Sequence, residues 1–250
     1  VNDTFWAHAR KAGHAVLDLL LPRTCLCCDA QLDVADDELV CRVCVGRLAR
    51  LPAPRCERCG HPVTRYACRW CDFLPPYVRA VRSVCWVPDG VAGDLVHKFK
   101  YDGWTSLARL FAGRMARLPY PRDVVEERSC LVPVPLAAGR LRERGYNQST
   151  LLADELARAW EIPRLDALAR TRATETQTRL TPSDRLRNVA GAFGAVVPKR
   201  ELAGKHVVLV DDVVTTAATL NACAAALHLS GARIVSYVTF GRARGAGDAP

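Results

Sequence analysis

From Ala80 onward, short apolar runs alternate with longer stretches in which apolar residues recur every three or four positions. That alternation predicts strands and helices in turn, the pattern of an α/β domain built on a parallel sheet. Val81 to Val87 reads as a strand, Leu95 to Leu118 as mostly helix, and Cys130 to Val134 as a strand running into Pro133-Val134-Pro135. Asn147 to Trp160 has helical periodicity, and Leu165 to Leu168 and Ala192 to Val197 read as short strands. The all-apolar run Val207 to Val210 predicts a buried strand. Thr215 to Leu229 is alanine-rich and predicts a helix stopped at Gly231. Arg233 to Phe240 reads as the last strand, with a frayed tail from Arg242, and Thr171 to Ser183, polar and broken by Pro182, as a long mobile loop.

The pattern is different before Pro75-Pro76. Phe5, Ala9, Ala12, Val16 and Leu19 fall at helical spacing, so residues 4–20 predict an amphipathic helix that packs on the rest of the protein. The division expected from the sequence is an N-terminal helix over 1–22, a cysteine-rich module over 23–76 and an α/β domain over 77–250. No window of 18 apolar residues occurs, and Ala15 to Leu21 is interrupted by Asp18 and lacks a small-residue cleavage site. No membrane span and a cytoplasmic location are therefore expected.

Composition adds two constraints. Half of the 250 residues are apolar, enough to bury a substantial core. The formal charge is +9, and only five of the 35 basic residues are lysine, so the positive surface is mainly guanidinium, which suits phosphate. An anionic partner, nucleic acid or a polyphosphate metabolite, fits this balance; codon bias toward arginine would produce it too.

Nine of the twelve cysteines lie between residues 25 and 71, and eight of these form the CxxC pairs Cys25/Cys28, Cys41/Cys44, Cys56/Cys59 and Cys68/Cys71. Two residues between cysteines let both thiolates reach one ion, and two such knuckles complete a tetrahedral site, so four knuckles imply two structural zinc ions. Loops of twelve, eleven and eight residues make successive pairing the simplest connectivity and leave interleaved pairing open. A disulfide framework is disfavoured in a reducing compartment, and a redox CxxC would occur once beside a βαβ unit. So few large apolar side chains occur here that the segment needs the metal in order to fold. Arginines are interspersed among the ligands, either to offset thiolate charge or, with Tyr66 and Trp70 to stack on bases, to form a face for phosphates.

The run Val207 to Val210 is followed by Asp211-Asp212 and then Val213-Val214-Thr215-Thr216-Ala217-Ala218-Thr219. In open α/β sheets the ligand crevice lies at that end of the strands. Two carboxylates there can grip vicinal ribose hydroxyls, while the backbone N–H groups, hydroxyls and helix N-terminus that follow cradle a phosphate. A Walker B strand also ends in acidic residues, but no GxxxxGK[ST] segment precedes this one. A receiver domain has an acidic pair after its first strand, yet only about 40 residues follow here, too few for its remaining units. Acidic residues capping the helix are the bland alternative.

This segment resembles the 5-phosphoribosyl 1-pyrophosphate (PRPP) binding motif of type I phosphoribosyltransferases. Three further stretches are similar to the ComF family, the competence protein and its GntX-like relatives. They are Leu95-Val96-His97-Lys98-Phe99-Lys100-Tyr101-Asp102-Gly103; Pro133 to Leu136 with Arg140 and Arg144-Gly145-Tyr146-Asn147-Gln148-Ser149; and Thr171-Arg172-Ala173-Thr174 with Gln177, Arg187, Asn188 and Ala192-Phe193. With the knuckles included, the resemblance spans roughly residues 15 to 241.

The resemblance implies a type I phosphoribosyltransferase-like parallel sheet with helices on both faces, preceded by a small zinc ribbon module. It implies that Asp211 and Asp212 hold the ribose hydroxyls of PRPP and that Val213, Val214, Thr215, Thr216, Ala217, Ala218 and Thr219 bind its 5-phosphate. Val134 to Ala138, with Val134 and Pro135 at its start, would be the pyrophosphate loop, with Arg140 or Arg144 as charge partner and magnesium bridging pyrophosphate and ribose. Thr171 to Thr181 would be a lid that excludes water. The family's motif has glycine where this chain has Ala217, whose Cβ can crowd the phosphate. Implied partners are PRPP, single-stranded DNA during uptake, and a competence helicase or other DNA-processing proteins. Pentosyl transfer to a base and non-catalytic sensing of PRPP are the alternatives.

Overall fold

The computed structural model describes residues 22–33, 39–63, 68–88, 90–171 and 191–245. The predicted helix over 4–20, Tyr66, and the loop from Arg172 to Ser183 lie outside the described residues. Two compact units are present, Val1–Leu48 and Ala49–Pro250.

The smaller unit is organised by its cysteines. Cys25 N–H donates to Ala30 O at 2.8 Å and Asp29 N–H to Cys25 O at 3.0 Å, closing the first knuckle. Helix α1, Arg42–Gly46, starts at the second knuckle, where the Cys41 side chain accepts from Cys44 N–H. Val40, Val45 and Leu48 are buried in this unit.

In the larger unit the predicted alternation of strands and helices is present, with boundaries set by tertiary contacts. The elements are β1 Val78–Val87, α2 Gly90–Tyr101, α3 Leu107–Ala116, α4 Arg122–Glu127, β2 Arg128–Pro133, α5 Ala138–Arg144 and α6 Gln148–Trp160. After them come β3 Leu168–Arg170, β4 Phe193–Ala195, α7 Lys199–Leu202, β5 His206–Val214, α8 Ala218–Leu229 and β6 Ile234–Ala243. The helix expected over Leu95 to Leu118 is two helices, because Gly103 takes a left-handed φ of +74° between them. Helices α4, α5 and α7 were not expected from the sequence; one or two turns are too short to show a period. The short strand expected over Leu165 to Leu168 divides: Leu165 N–H donates to Leu131 O at 2.8 Å beside β2, and Leu168 starts β3.

Four strands form a parallel sheet in the order β1-β6-β5-β2, and β3 with β4 forms a separate antiparallel pair. Because β5 sits inside the sheet, its aliphatic residues Val207 to Val210 are fully buried. One face carries α8 through Leu220, Cys223, Ala224 and Leu227, against Val207, Leu209, Val235 and Tyr237. On the other, α3 and α6 pack against β5 and β6, with Phe111 stacked on Phe240 at 3.7 Å between centroids.

The second pair of knuckles belongs to the larger unit. Its segment covers part of the open edge of β1: Val81 N–H donates to Arg58 O at 2.8 Å and Trp86 N–H to Ala49 O at 2.7 Å, which shortens the edge a foreign strand could use. Gly60 makes the close approach possible, since a Cβ on it would lie 2.5 Å from Val81 O. Three guanidiniums fasten the segment. Arg58 donates to the carbonyls of Leu74, Pro75 and Val78, and Arg82 to those of Glu57, Arg58, Val81 and Pro119. Arg242 donates to Cys59 O at 2.6 Å and lies 4.3 Å from the centroid of Trp70. The tail expected to fray from Arg242 is therefore strand as far as Ala243, and Arg242 itself is fully buried. Asn221 of α8 adds a bridge, donating to Phe73 O at 2.7 Å and accepting from Tyr237 Oη at 2.9 Å.

Two predictions follow from this packing. Cys59 is fully buried in the shared core whereas Cys28 is exposed in the smaller unit. Cys59→Ser is expected to lower the melting temperature of the larger unit by about 4–10 °C, because it removes a thiolate from a zinc site built into the core. Cys28→Ser leaves that transition in place; calorimetry of both variants is the check. His206, with Nε2 2.8 Å from Ser236 Oγ, is held down to about 4 by burial, which outweighs the pull of Glu127. Unfolded, it takes a proton near 6.5, so its contribution is complete above that pH and is lost as pH falls toward 4. Thermal melts between pH 7 and 4 should fall more steeply for the wild type than for His206→Gln.

Candidate functional site

The eight predicted ligands come together as two sets of four. Cys25, Cys28, Cys41 and Cys44 bring their sulfurs within 4.8 Å of one another, and Cys56, Cys59, Cys68 and Cys71 do the same. Pairing is thus successive. Sulfur separations of 3.7 Å for Cys28–Cys41, 3.4 Å for Cys56–Cys71 and 3.2 Å for Cys59–Cys68 approach the edge of a tetrahedron with Zn–S bonds of about 2.3 Å. Burial opposes ionisation of Cys25, yet the N–H groups of Cys41, Cys27 and Cys28 draw it down to about 6. Burial and the neighbouring thiols push Cys71 up to about 11. Four sulfurs that crowd one another in this way are the donor set a structural zinc ion satisfies, and both sites fit it.

At the carboxyl end of the sheet, β2 ends at Pro133 while β5 continues, so Asp211 and Asp212 pass beyond their neighbour on that side. Asp212 is buried and Asp211 partly so. Ser149 Oγ donates to Asp211 Oδ1 at 2.8 Å, and the Asp212 N–H donates to the same oxygen at 2.9 Å. Lys100 Nζ forms an ion pair with Asp212 Oδ2 at 2.8 Å. Burial and then the Asp212 charge push Asp211 up to about 7, against the opposing pull of Ser149 and Lys100. Burial works against the Lys100 ammonium, but Asp212 and Asp211 more than offset it and raise its pKa. A carboxyl whose pKa is raised, beside a second carboxyl that is ion-paired, offers both acceptor oxygens and, when protonated, a donor, which suits the two hydroxyls of a vicinal diol.

The predicted phosphate turn follows at once. Val213 and Val214 complete β5, Thr215 is exposed, Thr216 and Thr219 are half-buried, and Ala217 and Ala218 are buried. Ala217 is the N-cap of α8 at φ +60°, the left-handed region that glycine occupies without cost. The first N–H groups of α8 point out of the helix at this turn.

Opposite, Val134 is buried and Pro135 half-buried in the loop between β2 and α5. Val134 N–H donates to Val210 O at 3.0 Å, and Asn147 Nδ2 donates to Val134 O at 3.0 Å, which fixes this loop beside β5. Arg140 is exposed on α5, and Arg144, in its last turn, lies with its guanidinium 5.0 Å from the centroid of Tyr101. Burial lowers the pKa of Arg170, and the nearby charge of Arg140 lowers it further. Two guanidiniums that repel each other are a setting in which an anion is welcome.

Sequence reasoning named Lys100, Asn147 and Ser149 as parts of motifs without giving them roles, and left Arg170 out. Lys100 carried the usable signal: it is one of only five lysines in an arginine-rich chain.

The comparisons with known proteins agree with this architecture. The double zinc ribbon domain matches residues 16–73 and the phosphoribosyl transferase domain residues 147–249. The DNA utilization protein YhgH of Escherichia coli O6:H1 is 35% identical over 211 residues, covering 78% of this chain and 87% of that protein. Competence protein F of Haemophilus influenzae is 33% identical over 207 residues, covering 79% and 87%. Competence protein ComFC of Bacillus subtilis is 29% identical over 236 residues, covering 88% and 92%. Among the described residues no helix is long and apolar enough to cross a membrane. A phosphoribosyltransferase-type parallel sheet behind two four-cysteine zinc sites, with such relatives along most of its length, places the chain in the ComF family.

Proposed function

We propose that the protein binds PRPP with magnesium at the carboxyl end of β5 and that it takes part in handling incoming single-stranded DNA in natural competence. The observation that carries the first part is the junction itself: two adjacent carboxylates held by Ser149 and Lys100, followed within one turn by a helix N-terminus flanked by Thr215, Thr216 and Thr219. Asp211 and Asp212 take the ribose hydroxyls, the turn from Val213 to Thr219 takes the 5-phosphate, and the loop at Val134 and Pro135, with Arg140 near it, takes the pyrophosphate. Magnesium neutralises pyrophosphate charge and needs few protein ligands, which suits a site with only two carboxylates. Support for the second part comes from the printed names of relatives, competence protein and DNA utilization protein, and from the net charge of +9.

A second reading, pentosyl transfer, is favoured by the match of the phosphoribosyl transferase domain to residues 147–249, a stretch that includes the aspartate pair. A base nitrogen would attack C1 as the C1–O bond breaks and its electron pair leaves with pyrophosphate. The nitrogen's proton would then pass to solvent or to an ionised carboxylate.

Asp211→Asn with Asp212→Asn should weaken PRPP binding by more than 100-fold in calorimetry with magnesium while leaving about two zinc ions per chain; retained affinity removes the assignment. Asp211→Asn alone checks the fold. An aspartate with a raised folded pKa holds its proton better folded than unfolded, so the wild type loses stability as pH rises from about 4 to about 7. The variant should lack that decline. Ala217→Gly relieves a left-handed alanine, a strain of about 1 kcal/mol, and removes a Cβ from the phosphate turn. PRPP affinity should rise several-fold; an unchanged or weaker affinity would mean that the turn already accommodates the alanine.

A further inference from the structure

An aromatic and cationic cluster stands beside the aspartate pair, and its rings have no part in the reading above. Lys100 ends its reach at Asp212, 2.8 Å away, and the next residue on α2, Tyr101, is 64% exposed. One turn earlier, the His97 ring lies 5.0 Å from the Tyr101 ring, tilted by 48°. The guanidinium of Arg144 lies 5.0 Å from the centroid of the same ring. Trp104, after the break at Gly103, is a further exposed ring, at 39%.

The position of this cluster is fixed on two sides. Lys100 ties the last turn of α2 to the aspartates, and Tyr146 Oη donates to Phe99 O at 2.6 Å, tying the turn after α5 to the same helix. Tyr146 is half-buried and its hydroxyl serves packing, whereas Tyr101 leaves most of its ring in solvent. Helix α5 buries no residue and presents Arg140 and Arg142 alongside. A rigid aromatic face flanked by guanidinium and imidazole, with further cations near it, is the composition that stacks a heteroaromatic ring and holds attached phosphate.

We propose that Tyr101, with His97 and Arg144 beside it, is a stacking platform for a nucleobase held next to the Asp211–Asp212 pair. In a mononucleotide the ribose phosphate occupies the pair and the turn, whereas a DNA strand, which has no vicinal hydroxyls, lays a base on the platform without filling the diol site. That placement rests on the PRPP-site reading; the platform itself rests on Tyr101, His97 and Arg144. The shared chemistry is a planar base with phosphate attached, and two arms separate its sources, a mononucleotide or a single strand.

The test is calorimetry of the full chain with ribose 5-phosphate, with each of the four ribonucleoside 5′-monophosphates, and with a decathymidylate. The proteins are wild type, Tyr101→Ala and Tyr101→Phe. Tyr101→Ala should weaken at least one monophosphate about 5- to 100-fold, the span of one base stacked on an aromatic ring, while ribose 5-phosphate is unchanged and Tyr101→Phe restores binding. A loss confined to decathymidylate supports the platform with the single strand as its source. Equal affinities of wild type and Tyr101→Ala for every base-containing ligand overturn the platform. So does a change in oligomeric state with unchanged ligand affinity, which would make the exposed ring a contact between copies. If wild-type protein binds no ribose 5-phosphate, the PRPP-site reading fails by itself and the decathymidylate arm alone decides the platform.

Discussion

Two carboxylates on successive residues of an interior strand repel each other in a medium too dry to screen them. The surroundings of Asp211 and Asp212 answer that repulsion in two ways: Lys100 pairs with one carboxylate, and burial with the neighbouring charge pushes the pKa of Asp211 up to about 7. Much of the architecture serves this compromise. Helix α2 brings the ammonium, α6 brings Ser149, and the early end of β2 frees the side of β5 on which a ligand can approach. The cost of gathering like charges is offset within the free protein by Lys100 and Ser149.

The cysteine knuckles divide differently from the way their regular spacing suggests. The first two pairs organise a small unit of their own. The other two are part of the large one, because Cys59, Leu74 and Trp70 share a hydrophobic core with α8 and the sheet. Each four-thiolate zinc site has two excess negative charges, and three buried or half-buried guanidiniums lie around the second segment. They donate to carbonyl oxygens there rather than to carboxylates. This gives part of the arginine content a structural purpose unrelated to nucleic acid, alongside the exposed arginines of α5.

What the sequence revealed was local. An aliphatic run, two aspartates and a threonine-rich turn are contiguous, so their joint chemistry could be read directly, and the CxxC spacing carried the metal sites in the same way. What stayed hidden depended on partners far along the chain. Arg242 looks like part of a polar tail until Cys59, 183 residues away, supplies its carbonyl and Trp70 its ring. Ser149 reaches Asp211 across 62 residues, and nothing in either neighbourhood announces the contact. The division of the long helix at Asp102-Gly103 was visible as a glycine after a polar residue, yet the apolar periodicity on both sides masked it.

The strand edge partly covered by Ala49 and Arg58 bears on any attempt to dissect the molecule. A fragment cut at Pro76, where composition changes most abruptly, would uncover the N–H groups of Val81 and Trp86 and strip Arg82 and Arg242 of acceptors supplied by Glu57, Arg58 and Cys59. It would have an adhesive edge, and two guanidiniums of its interior would lose part of their acceptors. The smallest piece with a covered β1 edge begins before Ala49, so the half that carries the aspartate pair and its second metal knot are inherited together.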